Sequence, residues 1–253
     1  MKMIQSNDNK YIKLVKSLQN KKYREKYNLF FDEGVKNIEL SLKSDYMIKF
    51  VMIREDFVND KLLEALRDKV GDENIFFVKT AVFDIISDTV NSQGIMAIYE
   101  KKEFFKPLNS KYILILDRLQ DPGNIGTILR TAEAKGINDI YYIKGTADFF
   151  SPKVVRATMG SIYFMNMFML DDVQMIKDLG YKLYSSSLKN AVNCVNAFTD
   201  DKIALIIGNE ANGISDELLS VSDKKIKISM QGNAQSLNVS VATAMLIYEM
   251  TRK

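Results

Sequence analysis

Lys224-Lys-Ile226-Lys-Ile228-Ser-Met230-Gln-Gly232-Asn-Ala-Gln-Ser236-Leu237-Asn238-Val-Ser-Val241-Ala-Thr-Ala244-Met245-Leu-Ile-Tyr248-Glu-Met-Thr-Arg252-Lys253 is the stretch on which the fold of this chain turns. Alternation of Ile226, Ile228 and Met230 predicts a short strand, and a polar loop with one glycine, Gly232, follows. Ser236 stands where a helix N-cap belongs. From Leu237 the apolar positions Leu237, Val241, Ala244, Met245 and Tyr248 recur at helical spacing. Arg252 and Lys253 close the helix at its negative end. A strand, a small-residue loop and a capped helix start gather free backbone N–H groups around a pocket that suits a ligand with polar edges.

Composition narrows what such a ligand site can do. The 253 residues, 47% hydrophobic and 26% charged, are enough for one or two cores. No apolar run approaches the roughly 18 residues of a membrane span. The N-terminal residues Met1 to Asn7 lack the apolar region of a signal peptide. One cysteine, Cys194, allows no internal disulfide framework and fits a reducing cytoplasm. The chain contains no histidine, which removes Ser-His-Asp and Cys-His chemistry and histidine-based metal sites. No metal is expected. Chemistry must rest on carboxylates, Arg or Lys, hydroxyls, amides, or a cofactor already reactive by itself.

The net charge of +3 is mild, but it is unevenly spread. Lys10, Lys13, Lys16, Lys21, Lys22, Arg24 and Lys26 stand against one acid, Glu25, with Tyr11, Tyr23 and Tyr27 interleaved. This is either a solvated basic helix or a face that tracks phosphates, where cations gain affinity by releasing counterions.

Upstream, apolar spacing predicts alternating elements. A helix is expected at about 9–19, a strand at 29–31, and a helix through Val35, Ile38 and Leu42. Then come a strand at 47–53, a helix at 60–69, a strand at 74–78, a short helix at 82–87 and a strand at 95–99. That is a small α/β unit. The charged run from Lys101, followed by Pro107, Asn109 and Ser110, reads as a linker, so one domain is expected at 1–105 and another at 110–253.

The second domain opens with Tyr112 to Leu116, a nearly all-apolar strand suited to burial on both faces. Asp117-Arg-Leu-Gln-Asp121-Pro122-Gly-Asn124-Ile125-Gly-Thr-Ile-Leu-Arg130-Thr-Ala follows. Asp121 can cap a helix that begins at Pro122 and ends at Gly136. Arg130 lies about 140° around that helix from Ile125, off the apolar stripe formed with Ile128, Leu129 and Ala132. Ile140 to Ile143 is a predicted strand, Ser151-Pro152 starts a helix, 171–179 is a predicted helix, and Tyr181 to Tyr184 is a strand running into Ser185-Ser186-Ser187. A buried strand, Ile203 to Ile207, stops at Gly208-Asn209-Glu210-Ala-Asn-Gly213-Ile-Ser. A glycine at 208 would let a flat ligand approach the backbone. There is no G-x-G-x-x-G after a strand and no Walker sequence.

Three stretches in this order, the one from Asp117 to Ala132, Gly208 to Ser215, and Gly232 to Ala242, resemble the three motifs of the SpoU/TrmH family of RNA ribose 2′-O-methyltransferases. The Lys22, Arg24, Phe30, Phe31, Glu33, Gly34 pattern and Gln93-Gly94 also resemble the ribosomal-protein-like substrate domain that many members carry. The resemblance implies an α/β SPOUT domain with a trefoil knot, which is a topology periodicity does not predict. It implies S-adenosylmethionine as cofactor, with Gly208, Ile228, Met230 and Leu237 around the adenosine and Ser185 and Asn209 nearby. Catalysis would fall to Asn124, Arg130, Glu210, Ser236 and Asn238, and RNA contacts to Lys21, Lys22 and Arg24. It implies a cytoplasmic homodimer acting on RNA, ribosomal rather than transfer RNA given the added domain.

The family is usually described with the arginine of the first motif as base. A guanidinium normally stays protonated, so Arg130 could instead hold a phosphate or stabilise a developing alkoxide, with Glu210 tuning it. Transfer-RNA methylation, base methylation and a non-catalytic RNA-binding role stand as alternatives. The last would be expected to lose Arg130, Glu210 or Asn238, and all three are present.

Overall fold

The computed structural model describes residues 2–89, 91–103, 110–187 and 190–252. Positions 104–109 of the expected linker and the closing Lys253 lie outside the described residues. The described chain forms two compact units. One holds the chain up to Glu103 together with Asp148–Tyr163, and the other holds most of the remainder. The short segment 148–163, although it follows the opening elements of the second unit in sequence, packs with the first.

In chain order the first unit has β1 (Lys2–Ile4), α1 (Lys10–Ser17), α2 (Lys21–Tyr27), β2 (Leu29–Glu33), α3 (Val35–Ser41) and β3 (Ile48–Arg54). It continues with α4 (Asp60–Val70), β4 (Ile75–Val78), α5 (Thr80–Ile86) and β5 (Ile95–Glu100). The long helix expected at 9–19 stops at Ser17, and Asn20 then caps α2 by accepting from the Lys22 N–H at 2.9 Å. The strands form one mixed sheet in the order β1-β4-β3-β5-β2. Alternation along β2 divides its residues between two faces. Leu29 and Phe31 join Ile12, Leu18, Phe50, Phe76 and Phe83 in the core beneath α1 and α5. Phe30 and Asp32 point the other way, where Phe150 and Tyr163 arrive from the 148–163 segment.

Asp32 is thereby enclosed, and its oxygens accept from Tyr163 Oη at 2.9 Å, Asn37 Nδ2 at 3.1 Å and the Glu33 N–H at 2.8 Å. Arg24 meets a similar fate. It is 3% exposed, ion-paired to Asp148 at 2.7 Å, and donates to the Leu18 and Gln19 carbonyls at 2.6 and 2.8 Å. Its side chain therefore holds α2 in place and has no free face to offer a phosphate.

The second unit has β6 (Tyr112–Asp117), α6 (Pro122–Ala134) and β7 (Asp139–Tyr142). After α7 (Pro152–Thr158), which packs with the first unit, come β8 (Asn166–Met169), α8 (Gln174–Asp178), β9 (Lys182–Ser186) and β10 (Val192–Asn193). β11 (Ile203–Gly208), α9 (Asp216–Val221), β12 (Lys224–Lys227) and α10 (Val239–Thr251) complete it. All seven strands are parallel, in the order β10-β12-β9-β11-β6-β7-β8. Central β6 and β11 are buried on both faces, which explains their unbroken apolar runs. The chain builds outward from β6 through β7 and β8, then returns to fill the other side. The direction of building reverses between β6 and β11, and the loops leaving those two strands are joined by hydrogen bonds, the Ser215 N–H donating to Asp117 and Asn124 Nδ2 to Glu210.

Two expected elements are shorter than their patterns suggest. β12 ends at Lys227, so Ile228 and Met230 lie beyond the strand as the chain leaves the sheet toward α10. α8 begins only at Gln174, because Asp172 Oδ1 accepts the Gln174 N–H at 2.8 Å in a local turn.

Burial pushes the Asp32 carboxyl up from its ordinary 3.8 to about 6, against the three hydrogen bonds that favour its charged form. A raised folded-state value means this group's contribution is fully present below about pH 3.8 and is lost as pH rises through about 6. Between pH 4 and 7 the stability of the wild type should fall by roughly 2 kcal/mol relative to Asp32→Asn, measured by urea titration across that range. A difference independent of pH would refute it.

Candidate active site

Three loops meet at the carboxyl edge of the parallel sheet. The first follows β6. Asp117 is fully buried, accepting from the Ser215 N–H at 2.7 Å and from Arg118 Nε at 2.8 Å. Arg118 turns the chain in a left-handed conformation (φ 55°), and Asp121 caps α6 by accepting from the Asn124 N–H at 2.7 Å. The second loop follows β11 and closes on itself. Asn209 and Gly213 exchange backbone hydrogen bonds of 3.0 and 2.9 Å, and Asn209 Oδ1 takes the Ala211 and Asn212 N–H groups.

This closure explains Gly208. A Cβ there would lie 2.3 Å from the Gly213 carbonyl carbon and 2.4 Å from the Ile214 nitrogen. The glycine is required by the loop's own backbone, whereas the sequence suggested a ligand's approach as the reason. The third loop runs from Lys227 to α10, and its cap corrects the sequence expectation. The N-cap is Asn238 and not Ser236. Asn238 Oδ1 accepts from the Ser240 N–H at 2.9 Å, Ser240 Oγ at 2.6 Å and the Val241 N–H at 3.4 Å.

A chain of side-chain hydrogen bonds joins the loops. Asn238 Nδ2 donates to Asn124 Oδ1 at 3.0 Å, and Asn124 Nδ2 donates to Glu210 Oε1 at 3.2 Å. Glu210 also receives the Asp121 N–H on Oε1 at 3.2 Å, and the Gln120 N–H and Asn209 Nδ2 on Oε2 at 3.3 and 3.4 Å. Partial burial acts to raise the Glu210 pKa. It is outweighed by hydrogen bonds from its own backbone, Asn124, Asp121 and Gln120, which hold the carboxyl below its usual range. Glu210 is thus an ionised anchor whose acceptor positions are filled from the first loop. Every amide orientation in the chain follows from that fixed end.

Beside this juncture lies a cleft of about 420 Å³. Gly208, Asn209, Ile228, Met230 and Leu237, expected around a cofactor, all line it, as do Glu210, Ser236 and Asn238. Ser185 does not. It is buried with its hydroxyl against that of Ser222, and the next two residues, Ser186 and Ser187, face the cleft. A triple serine marks the strand end in the sequence, but only the register of β9 decides which of them is presented. Asn124 enters the juncture, whereas Arg130 does not. Arg130 is exposed on α6, and among the described residues its side chain forms no hydrogen bond or ion pair, with Glu210 or any other group. The backbone N–H groups of Gln120 and Asp121, which hold Glu210, are site groups that side-chain motifs could not reveal. Lys21, Lys22 and Arg24 belong to the first unit.

A parallel α/β sheet with a cleft at the carboxyl ends of β9 and β11, lined by loop backbone, amides and apolar side chains, defines a protein that binds a nucleotide-like cofactor. The chain belongs to the SpoU rRNA methylase family, whose profile matches residues 111–248. The profile of the MRM3-like substrate binding domain matches residues 9–97. The chain is 32% identical over 253 residues to the 23S rRNA (guanosine(2553)-2′-O)-methyltransferase RlmP of Bacillus subtilis (strain 168), covering 99% of each. It also resembles the AdoMet-bound rRNA methyltransferase of Sinorhizobium meliloti (TM-score 0.88, 28% identity, 99% and 97% of the chains). A solved RNA 2′-O ribose methyltransferase matches at TM-score 0.83 and 27% identity, over 99% and 98% of the chains.

Because the Gly208 Cβ would strike backbone, Gly208→Ala should already destabilise the second unit by about 1–3 kcal/mol in chemical denaturation. Isothermal calorimetry on the same variant should show weakened S-adenosylmethionine binding. Wild-type stability would mean that the loop yields freely and the glycine serves something else.

Proposed function

We propose that this chain transfers a methyl group from S-adenosylmethionine to a ribose 2′-hydroxyl of ribosomal RNA. The observation that carries this reading is the Glu210–Asn124–Asn238 chain at the edge of the cleft, which unites the three family motifs in one polar juncture. The cleft suits the donor in both size and chemistry. Its volume falls within the roughly 300–1,000 Å³ usual for small-molecule sites. Ile226, Ile228, Met230, Leu237 and Leu246 supply apolar walls for a flat base, while the serines and loop amides supply polar edges. Gly208, Asn209, Ile228, Met230 and Leu237 would hold the donor, with Ser186 and Ser187 taking the place expected of Ser185. When bound, the sulfonium donor supplies an electrophilic methyl group, so the protein needs mainly to align the acceptor oxygen and ease its deprotonation.

The residues divide that work. Glu210, ionised and saturated with donors, positions the first loop and is not available as a proton acceptor. Asn124 and Asn238 present fixed amides, and Ser236 lines the cleft beside them. Arg130 supplies the planar cation that stabilises the developing alkoxide or the adjacent phosphate. Ribosomal RNA is favoured over transfer RNA by the named substrate of the Bacillus relative and by the match to a substrate-binding domain over residues 9–97. In this reading the first unit engages RNA, with Lys21 and Lys22 contributing charge and Arg24 supporting α2 from beneath.

A homodimer belongs to the same proposal. α6 and α10 run side by side, tied by Asn124–Asn238 at one end and by Lys135 over the Tyr248 ring, 5.4 Å from its centre, further along. Val241, Met245 and Tyr248 of α10 are left exposed, and Met245 and Tyr248 line, with Val195, a second hollow of about 540 Å³. A second copy of the chain would cover this apolar face. The trefoil knot is part of the reading too. What supports it is that the segment between β12 and α10 lines the same cleft as the residues at the ends of β9 and β11. A cytoplasmic location fits an RNA substrate, and no described helix is long and apolar enough to cross a membrane.

Two tests follow. In single-turnover methyl transfer to ribosomal RNA with saturating donor, Arg130→Ala should slow the reaction by about 100-fold or more, the scale of losing a charge-stabilising donor. Its stability should stay within about 0.5 kcal/mol of wild type, as for an ordinary surface change. Arg130→Lys separates the two roles: partial retention indicates that charge suffices, and an Ala-like rate indicates that the planar fork is needed. Near-normal transfer by Arg130→Ala would remove the residue from the mechanism. For the assembly, Met245→Glu with Tyr248→Glu should convert the protein from dimer to monomer in sedimentation equilibrium. A wild-type protein that sediments as a monomer would end the dimer proposal.

A further inference from the structure

Resting on the RNA-methyltransferase reading, we propose that α2 is a base-stacking platform: Tyr23 and Tyr27 present paired ring faces to unpaired nucleobases, while Lys22 and Lys26 hold the adjoining phosphates. The structure sorts the aromatic residues of the basic segment into two kinds. Tyr11 is packed inward against Phe50 and Phe76, with ring centres 5.2 and 4.3 Å away. Tyr23 and Tyr27, one helical turn apart, lie with their rings nearly parallel, 15° between planes and 6.2 Å between centres. Tyr27 is 41% exposed. Tyr23 is half-buried, and neither ring belongs to the core cluster of the first unit.

Charge is arranged around them in the same purposeful way. At about 100° per residue, Lys22 and Lys26 share one edge of the tyrosine face, while Lys21 and Glu25 lie on the opposite side of the helix. Lys21 and Glu25 pair there at 3.6 Å, so the one acid of the segment is neutralised away from the rings. Lys22 Nζ lies 6.0 Å from the Tyr23 ring centre and Lys26 Nζ 5.3 Å from that of Tyr27, and neither lysine has an acidic partner among the described residues. The helix cannot roll. Arg24 is locked to Asp148 and to the Leu18 and Gln19 carbonyls on its buried side. Its end is fixed where left-handed Asn28 exchanges hydrogen bonds with Lys101, the backbone N–H of Lys101 donating at 2.8 Å and Asn28 Nδ2 at 3.2 Å. Pre-oriented π faces bordered by free cations match single-stranded RNA, whose bases stack and whose phosphates attract cations. A duplex, with its bases already stacked, would gain only the charge.

The test uses the full chain without donor, and fluorescence anisotropy with a labelled unstructured oligouridylate and a labelled RNA duplex of equal length, at three salt concentrations. Tyr23→Ala with Tyr27→Ala should weaken single-strand binding about tenfold or more, by loss of stacking. Duplex affinity and salt slope should be unchanged. Tyr23→Phe with Tyr27→Phe should bind as wild type. Tyr23→Leu with Tyr27→Leu, which keeps apolar bulk on the helix, should match the Ala pair and so guards against a folding artefact. Lys22→Ala with Lys26→Ala should reduce the magnitude of the single-strand salt slope by about 1.4, at about 0.7 per lysine. The platform is overturned if the Ala or Leu pair binds the single strand within about twofold of wild type, if duplex binding falls equally, or if the Phe pair fails like Ala. It is also overturned if sedimentation shows that the face is a contact between copies. A wild type that binds RNA through these tyrosines yet methylates no ribosomal RNA would instead refute the enzymatic reading and leave the platform standing.

Discussion

A parallel sheet delivers every strand's carboxyl end to the same edge, and the site depends on what is done with that edge. Segments around residues 120, 210 and 238 meet there without any of them being neighbours in the chain. Their meeting would remain loose if it rested on backbone proximity alone. The Glu210–Asn124–Asn238 hydrogen bonds close it, and the direction of each follows from one fact. Glu210 is held ionised by four donors, so Asn124 must turn its amide nitrogen toward it and its oxygen away. Asn238 must then donate to that oxygen, leaving its own carbonyl to cap α10. Each bond is worth only about 0.5–1.5 kcal/mol net, somewhat more at the charged end. Their contribution is orientation more than stability.

The first unit applies the same physics differently. Pleating sends Phe31 into the core beneath α1 and Phe30 toward Phe150, so one strand has two buried faces. Asp32 shares the second face, where Tyr163, Asn37 and the Glu33 N–H donate to its enclosed carboxyl. Arg24 and Asp148 form the other enclosed polar contact to this segment. Enclosed pairs of this kind add little net stability but are costly to break, which suits them to specifying how one segment docks.

How far the sequence carries a reader differs between these features. Most strand and helix identities followed from periodicity, though β1, α2, β8, β10 and α9 were not among the expected elements, and the three motif loops were legible through their resemblance to the family's wording. The partner of Arg24 was not legible, since Asp148 lies 124 residues away and nothing local distinguishes an arginine bound for the interior from one bound for phosphate. The same blindness made Tyr11, Tyr23 and Tyr27 look equivalent. Gly208 was singled out for a ligand's approach, and its collision with Gly213 was not legible because it exists only once the loop has closed. Ser236 and Asn238 are both good caps by type. The choice between them falls to Asn238 because only its amide also reaches Asn124.

α10 shows where periodicity itself misleads. Its stripe Val241, Met245 and Tyr248 is the obvious inward face, yet these residues are exposed and Ser240, Thr243, Leu246, Ile247 and Met250 are buried. The helix is apolar on most sides, so apolarity cannot choose a face; size and hydrogen-bond capacity can. Ser240 satisfies its hydroxyl on the Asn238 cap, and Thr243 satisfies its own on the Val239 carbonyl at 2.7 Å. Both can therefore be buried at no polar cost while their small volume lets α10 lie close to α6 and β11. Leu246, Ile247 and Met250 fill the rest of the buried side, while Val241, Met245 and Tyr248 fall on the side turned away from it. A helix that hides its small polar residues and leaves three large apolar ones outside has exchanged the usual arrangement for a tight seat beside the cleft and an apolar face left for a neighbour.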